Sequence, residues 1–93
     1  MSSYIVTYDL STPGRDYESL FSYLKSFPYH AHVLESSWAI ITSKTALEVC
    51  NEILPHIDGN DHVLVNEVTL NAAWFGLPDP VSEWLKKYLP AAA

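Results

Sequence analysis

Residues 30–42, HAHVLESSWAIIT, decide the fold of this chain. Two short apolar runs lie on either side of Ser36 and Ser37, and apolar runs of this length bounded by turn-forming residues are typical of β-strands. The segment therefore predicts a β-hairpin with its turn near Ser36 and Ser37. Two strands alone are not stable in water, so the flanking sequence must supply further strands and helices.

The sequence on each side of this hairpin predicts one more strand and one helix. Residues 4–10 (YIVTYDL) have the composition of a strand and run into the helix-breaking and turn-forming residues 11–14 (STPG). Residues 15–27 repeat apolar side chains at helical spacing. After the hairpin, Thr45 and Glu48 fit a capping box that begins a second helix, whose last turn Pro55 should disturb. Residues 62–68 (HVLVNEV) then return to a strand pattern.

The resulting order of strand, helix, strand, strand, helix, strand predicts an α+β domain. We expect a ferredoxin-like βαββαβ antiparallel sheet with two helices on one face, occupying residues 1–70. Residues 71–93 form a C-terminal extension, with an edge strand expected at 71–76 and a short helix after it. Trp74 and Trp84 on this extension are predicted to lie at a dimer interface. The alternative, that the extension covers its own chain, is equally open.

Length and composition favour one folded domain that works as a homodimer. The chain has 93 residues, of which 48% are hydrophobic and 13% aromatic, which is too apolar for a disordered chain. A domain of this size buries only about two-thirds of the surface that its unfolded chain exposes, so a second copy is a reasonable source of further burial. The net charge is -6, with five Lys and Arg against eleven Asp and Glu. A nucleic-acid partner is possible but disfavoured, because few cations are present to neutralise phosphates.

The single cysteine and the lack of a long apolar run indicate a cytoplasmic protein. Cys50 is the only cysteine, so no disulfide can form within the chain, and a reducing compartment is the simpler interpretation. No apolar stretch approaches the ~20 residues that a membrane-spanning helix needs. We therefore expect no membrane partner.

A polar cluster is predicted at the end of the first strand. Asp9 closes that strand just before a loop that contains Ser11 and Arg15. In the expected topology this end lies beside Asp61 and His62 at the start of the last strand. Carboxylate oxygens are the ligands that Mg²⁺ prefers, and one or two of them suffice when substrate phosphate and water complete the site. The cluster therefore predicts a magnesium site, with a turn-capping role for Asp9 as the alternative.

Several stretches resemble a known family. Residues 8–10 (YDL) close the first strand, a polar loop and an amphipathic helix follow, and residues 33–38 (VLESSW) come next. This arrangement, over residues 4–68, resembles the small CRISPR-associated dimeric nucleases and their stand-alone SinR-like relatives. The resemblance implies a ferredoxin-like fold, a symmetric dimer and Mg²⁺-dependent cleavage of RNA or DNA. It also implies that Asp9 is the metal-binding and catalytic carboxylate, paired with its symmetry mate.

Two other interpretations of the function remain open on the sequence alone. One is a non-catalytic dimeric adaptor that binds a partner, and the other is a module that binds a small ligand. His30 and His32 alternate along a strand and so face the same side, which is a spacing compatible with zinc if further ligands come from elsewhere. Trp38 is expected in the core.

Overall fold

The computed structural model describes residues 1–11, 16–69 and 72–89. These residues form a small α+β domain with a four-stranded antiparallel sheet and three α-helices. The elements are β1 (Ser2–Asp9), α1 (Glu18–Lys25), β2 (Tyr29–Leu34), β3 (Ser37–Thr42), α2 (Ala46–Ile53), β4 (His62–Val68) and α3 (Asp79–Tyr88). No helix within the described ranges is long and apolar enough to cross a membrane.

The sheet has the order β2-β3-β1-β4, so β1 and β3 are central and β2 and β4 are the edges. Neighbouring strands are antiparallel, with Val6 opposite Trp38 between β1 and β3, and Asp9 opposite His62 between β1 and β4. Strands β1 and β2 therefore run parallel with β3 between them, and β3 and β4 run parallel with β1 between them. The predicted hairpin is confirmed, with Glu35 and Ser36 as the residues between its strands.

The first face of the sheet is covered by α1 and α2. Alternate residues of β1 and β3 point to this side, as expected for a half-buried antiparallel strand. The fully or almost fully buried side chains of this core come from both the sheet and the helices: Tyr4, Val6, Tyr8, Leu20, Leu24, Trp38, Ile40, Val49 and Ile53. The predicted core position of Trp38 is confirmed. This layer fixes where the ends of β1 and β4 lie.

The second face of the sheet is covered by α3. Ala39 on β3 is fully buried beneath Leu85 and Leu89, and Ile5 and Val33 pack against the same cluster. The sheet is therefore enclosed on both sides around β2 and β3. The half of this face nearer β4 is less covered, because Leu64 remains 60% exposed.

Local sequence signals set the ends of the helices. The side chain of Asp16 accepts a hydrogen bond from the Glu18 backbone N–H at 2.8 Å, which places the start of α1 at Glu18. Thr45 and Glu48 form the predicted capping box, with N···O distances of 3.1 and 2.9 Å. Pro55 lies in a short 3-10 turn, Leu54–His56, that ends α2, as the sequence predicts.

The edge strand expected at 71–76 is wrong for the part that the structure describes, residues 72–76, which form no strand. The cause is the anchoring of this segment to α3. Trp74 donates a hydrogen bond from Nε1 to the Ser82 hydroxyl at 3.0 Å, and Gly76 has a positive φ of 79° that ends any extended backbone. Residue 71 lies outside the described residues.

We expect Leu24→Ala to lower the free energy of unfolding by about 2–5 kcal/mol, because it leaves a cavity in a well-packed core. Leu24 is fully buried between α1 and the sheet. The matched control is Leu47→Ala on α2, where the leucine is 69% exposed and the loss should stay within about 0.5 kcal/mol. Urea unfolding measures both, and equal losses for the two variants would contradict this placement of the helix faces.

Candidate functional site

Asp9 and His62 lie side by side at one end of the sheet. They are direct partners across β1 and β4, so their side chains share a face and their Cβ atoms are expected to be about 4.5–5.5 Å apart. Both residues are exposed and line a cleft of about 260 Å³ together with Thr7, Tyr8 and Leu64. We refer to this as the Asp9 cleft. The structure thus brings Asp9 and His62 together, as the sequence predicts.

Ser11 and Asp61 also lie together, and they form a hydrogen-bonded clamp. The Asp61 carboxylate accepts hydrogen bonds from the backbone N–H groups of Ser11 and Asp58, each at 2.8 Å. The Tyr17 hydroxyl lies 3.0 Å from both carboxylate oxygens. The Ser11 hydroxyl donates to the Asn60 carbonyl at 2.8 Å and lies 3.2 Å from Asp61 Oδ1. The clamp ties the residues that follow β1 to the turn that precedes β4.

The environment of Asp61 assigns it a structural role. The side chain is only 7% exposed, and a carboxylate offers about four lone-pair positions, most of which these donors occupy. Burial raises the pKa of this carboxyl, but the hydrogen bonds from Ser11, Asp58 and Tyr17 outweigh it and hold the pKa below its usual value. Asp61 is therefore ionised at neutral pH and engaged within its own chain.

Asp9 differs from Asp61 in its surroundings. Its carboxylate is exposed, and no hydrogen bond or ion pair to it occurs among residues 1–11, 16–69 and 72–89. Arg15, the basic residue predicted to join this site, lies outside the described residues. Within those same ranges no group of three His, Cys, Asp or Glu side chains is arranged to hold a metal ion. Among the described residues, one chain therefore offers the Asp9 carboxylate and the His62 imidazole as possible metal ligands at this end of the sheet.

A second concave surface lies on the α3 side of the sheet. This apolar cleft has a volume of about 470 Å³. Its floor is formed by Ile5, Val33 and Val68 of the sheet and its wall by Leu85 and Leu89. The segment 72–77 closes the remaining side. The lining of the cleft suits the binding of an apolar group, because its side chains are aliphatic or aromatic.

Trp74 and Trp84, predicted at a dimer interface, pack in this region of their own chain. Both are half-buried against the cluster formed by Ala39, Leu85 and Leu89. Trp84 also contacts the Tyr88 ring, with centroids 5.0 Å apart. The extension therefore covers its own sheet, which is one of the two alternatives that the sequence left open. A contact of the same residues with a second copy stays a prediction.

Phe75 stands out because its side chain is 99% exposed, although Trp74 and Leu77 on either side of it are partly buried. Trp74 is held by its hydrogen bond to Ser82, and Leu77 packs into the second-face cluster. The left-handed backbone of Gly76 makes the turn between them. The backbone is thus fixed on both sides of Phe75 and presents its ring to solvent at the edge of the apolar cleft. Sequence reasoning passed over Phe75, although the run Trp74-Phe75 before a glycine was a visible signal.

His30 and His32 lie on the same side of β2, as predicted, and both rings contact Trp38. The His32 ring is parallel to the indole at a centroid distance of 4.3 Å, and the His30 ring lies 6.3 Å away. One ring nitrogen of each contacts a carbonyl oxygen, that of Phe27 for His30 and that of Glu35 for His32. The pair therefore covers the edge of the core rather than converging on a common point.

Comparison of this chain with known protein families, with curated proteins and with solved structures gives no match.

We expect the Asp61 clamp to make stability depend on acidity. The pKa of Asp61 is lower in the folded than in the unfolded chain, so its contribution is present above about pH 4 and is lost as the pH falls through the folded-state pKa. Urea unfolding of the wild type and of Asp61→Asn between about pH 7 and pH 3 measures this. The variant should be less stable at neutral pH, and the difference should shrink in acid. A constant difference would contradict the assignment.

Proposed function

We propose that the domain is ferredoxin-like. Two observations support this finer assignment: the strand, helix, strand, strand, helix, strand order of the first six regular elements, and the interleaving of the two parallel strand pairs in the sheet. The added helix α3 on the second face is an extension of that arrangement. The single partly buried Cys50, which forms no disulfide, supports a cytoplasmic location.

We propose that the protein is a homodimeric, metal-dependent phosphodiesterase that uses Asp9 and acts on RNA or DNA. The observation that carries this proposal is the position of Asp9, whose exposed carboxylate opens into a cleft at the end of β1 with His62 beside it. The resemblance to the small CRISPR-associated nucleases and their SinR-like relatives assigns the same role to the aspartate that closes the first strand.

The number of carboxylate ligands available to Mg²⁺ explains why this proposal needs two copies of the chain. One Asp9 supplies a single carboxylate, whereas Mg²⁺ is usually held by one or two carboxylates together with water and substrate phosphate. A second Asp9 from a symmetry-related copy would complete the pair. When bound, Mg²⁺ would polarise the phosphate and favour ionisation of an attacking water. Asp61 and Ser11 would position the end of β1, and the imidazole of His62 would contact the phosphate or the water within the Asp9 cleft.

A second candidate function, that of a non-catalytic dimeric adaptor or ligand-binding module, is favoured by two observations. The net charge of -6 works against nucleic-acid affinity, because binding gains most from Lys and Arg that neutralise phosphates. The apolar cleft and the exposed ring of Phe75 provide a binding surface that needs no catalytic group. In this alternative Asp9 is a turn residue.

Metal-dependent stabilisation separates the two candidates. If paired Asp9 carboxylates bind Mg²⁺, the melting temperature of the wild type should rise with Mg²⁺, since only the folded dimer offers the site. The stabilisation approaches about 2.7 kcal/mol when the metal reaches 100 times its Kd. Asp9→Asn should abolish both this rise and the cleavage of RNA, single-stranded DNA or duplex DNA.

Glu67→Gln is the matched control, because Glu67 is an exposed carboxylate on β4 outside the Asp9 cleft. It removes one negative charge, as Asp9→Asn does, and should leave the metal response and the cleavage unchanged. Equal metal responses and equal activities in the wild type and Asp9→Asn would overturn the phosphodiesterase proposal and favour the adaptor.

A further inference from the structure

We propose that Phe75 of each copy inserts into the apolar cleft of the other. The ring, which we call the Phe75 knob, and the cleft would together form the interface of a symmetric dimer. This inference deepens the proposed homodimer by naming the surface and the residue that each copy contributes. The juxtaposition that carries it is a 99% exposed phenyl ring at the rim of a cleft of about 470 Å³ on the same chain.

The size and lining of the cleft suit an aromatic ring. A cavity of about 150 Å³ with apolar walls is large enough to hold benzene, so the volume here accommodates a phenyl group with room for its approach. The floor of Ile5, Val33 and Val68 offers only aliphatic contacts. A cleft left open to water exposes this surface, which an inserted ring would cover.

The backbone around Phe75 is anchored in a way that leaves the ring in solvent, where a partner can bind it. Trp74 is fixed to α3 by its bond to Ser82, and Leu77 is packed into the second-face cluster. With Trp74 and Leu77 anchored and Gly76 in a left-handed turn, the backbone holds Phe75 outside the second-face cluster. A rigid aromatic side chain loses little entropy on binding, which is why such residues dominate interfaces.

Self-complementarity identifies a second copy as the occupant. In a two-fold dimer the same patch meets itself, so a knob and a cleft on one patch are each used twice. The two rings would bury about 300–500 Å² of the about 1,600 Å² that a stable interface needs. Further apolar surface is available on the same patch, because Leu34 at the cleft is 57% exposed and Leu64 on the same sheet face is 60% exposed.

The charge of the chain predicts how the dimerisation constant depends on salt concentration. Two copies that each carry -6 repel each other, and salt screens that repulsion over about 8–10 Å. Dimerisation should therefore strengthen as the salt concentration rises. A basic peptide in the same cleft would show the opposite trend.

The test is a complementation experiment followed by analytical ultracentrifugation. Phe75→Ala removes the inserting ring, which also lines the rim of the cleft, and keeps the floor of Ile5, Val33 and Val68 open. Ala73→Trp, at another residue that lines the cleft, is designed to fill it and keeps the Phe75 ring. Each variant alone should dimerise at least about 100-fold more weakly than the wild type, because both knob-in-cleft contacts are lost. A one-to-one mixture should form a heterodimer, since the intact ring of Ala73→Trp can enter the open cleft of Phe75→Ala.

Leu47→Ala serves as the control, because Leu47 is an exposed leucine on α2, on the other side of the sheet, and its removal should leave the dimer unchanged. If the wild type and Phe75→Ala dimerise equally, the homodimer stands but uses another surface, and this inference is overturned. A mixture without heterodimer overturns it as well. A wild type that is monomeric at about 100 µM would contradict both this inference and the proposed homodimer, because interfaces of standard size usually have a Kd well below that concentration.

Discussion

The sheet of this protein has two apolar faces, and the need to cover both is the constraint from which the rest of the structure follows. Val6 and Ala39 are both fully buried, although they point to opposite sides of the two central strands. On the first side α1 and α2 complete the cover. On the second side, among the described residues, the ten-residue helix α3 and the segment 72–77 provide the cover, and α3 lies mainly over the half of the sheet near β2 and β3. The apolar cleft and the exposed Leu64 are the part of this face that α3 leaves open.

The two aspartates near the end of β1 show how position rather than residue type decides a role. Asp61 lies in the turn before β4, where its carboxylate is buried and surrounded by donors from three residues. Asp9 lies on the neighbouring strand opposite His62, the residue that follows Asp61, with its carboxylate in solvent. The first holds the chain in place, whereas the second is accessible from solvent. Any chemistry at this end of the sheet therefore depends on the clamp for its geometry and on Asp9 for its charge.

Local patterns are sufficient to predict the four strands and both ends of α2, because each of these signals acts over a few residues. The Thr45–Glu48 capping box and the effect of Pro55 are contacts within one helical turn, and the alternation in residues 62–68 reports a strand directly. The meeting of Asp9 with His62 followed from topology once the strand order was known.

The remaining features depend on contacts between distant segments, which periodicity does not report. The hydrogen bond from Tyr17 to Asp61 joins residues 44 positions apart, and no local pattern around either residue predicts it. The expected strand at 71–76 failed for a similar reason, since the hydrogen bond from Trp74 to Ser82 decides the path of that segment. Apolar content alone cannot distinguish an edge strand from a segment pinned to a helix.

The burial of Ala39 has a consequence for how this protein can change over evolutionary time. Its methyl group sits directly beneath Leu85 and Leu89, so the spacing between α3 and the sheet is set by one of the smallest side chains. A larger residue there would lift the helix and reshape the apolar cleft while leaving the α1 and α2 layer untouched. Descendants of this sequence therefore have a single-residue route to a cleft of another shape, with Asp9 and His62 at the far end of β1 left unchanged.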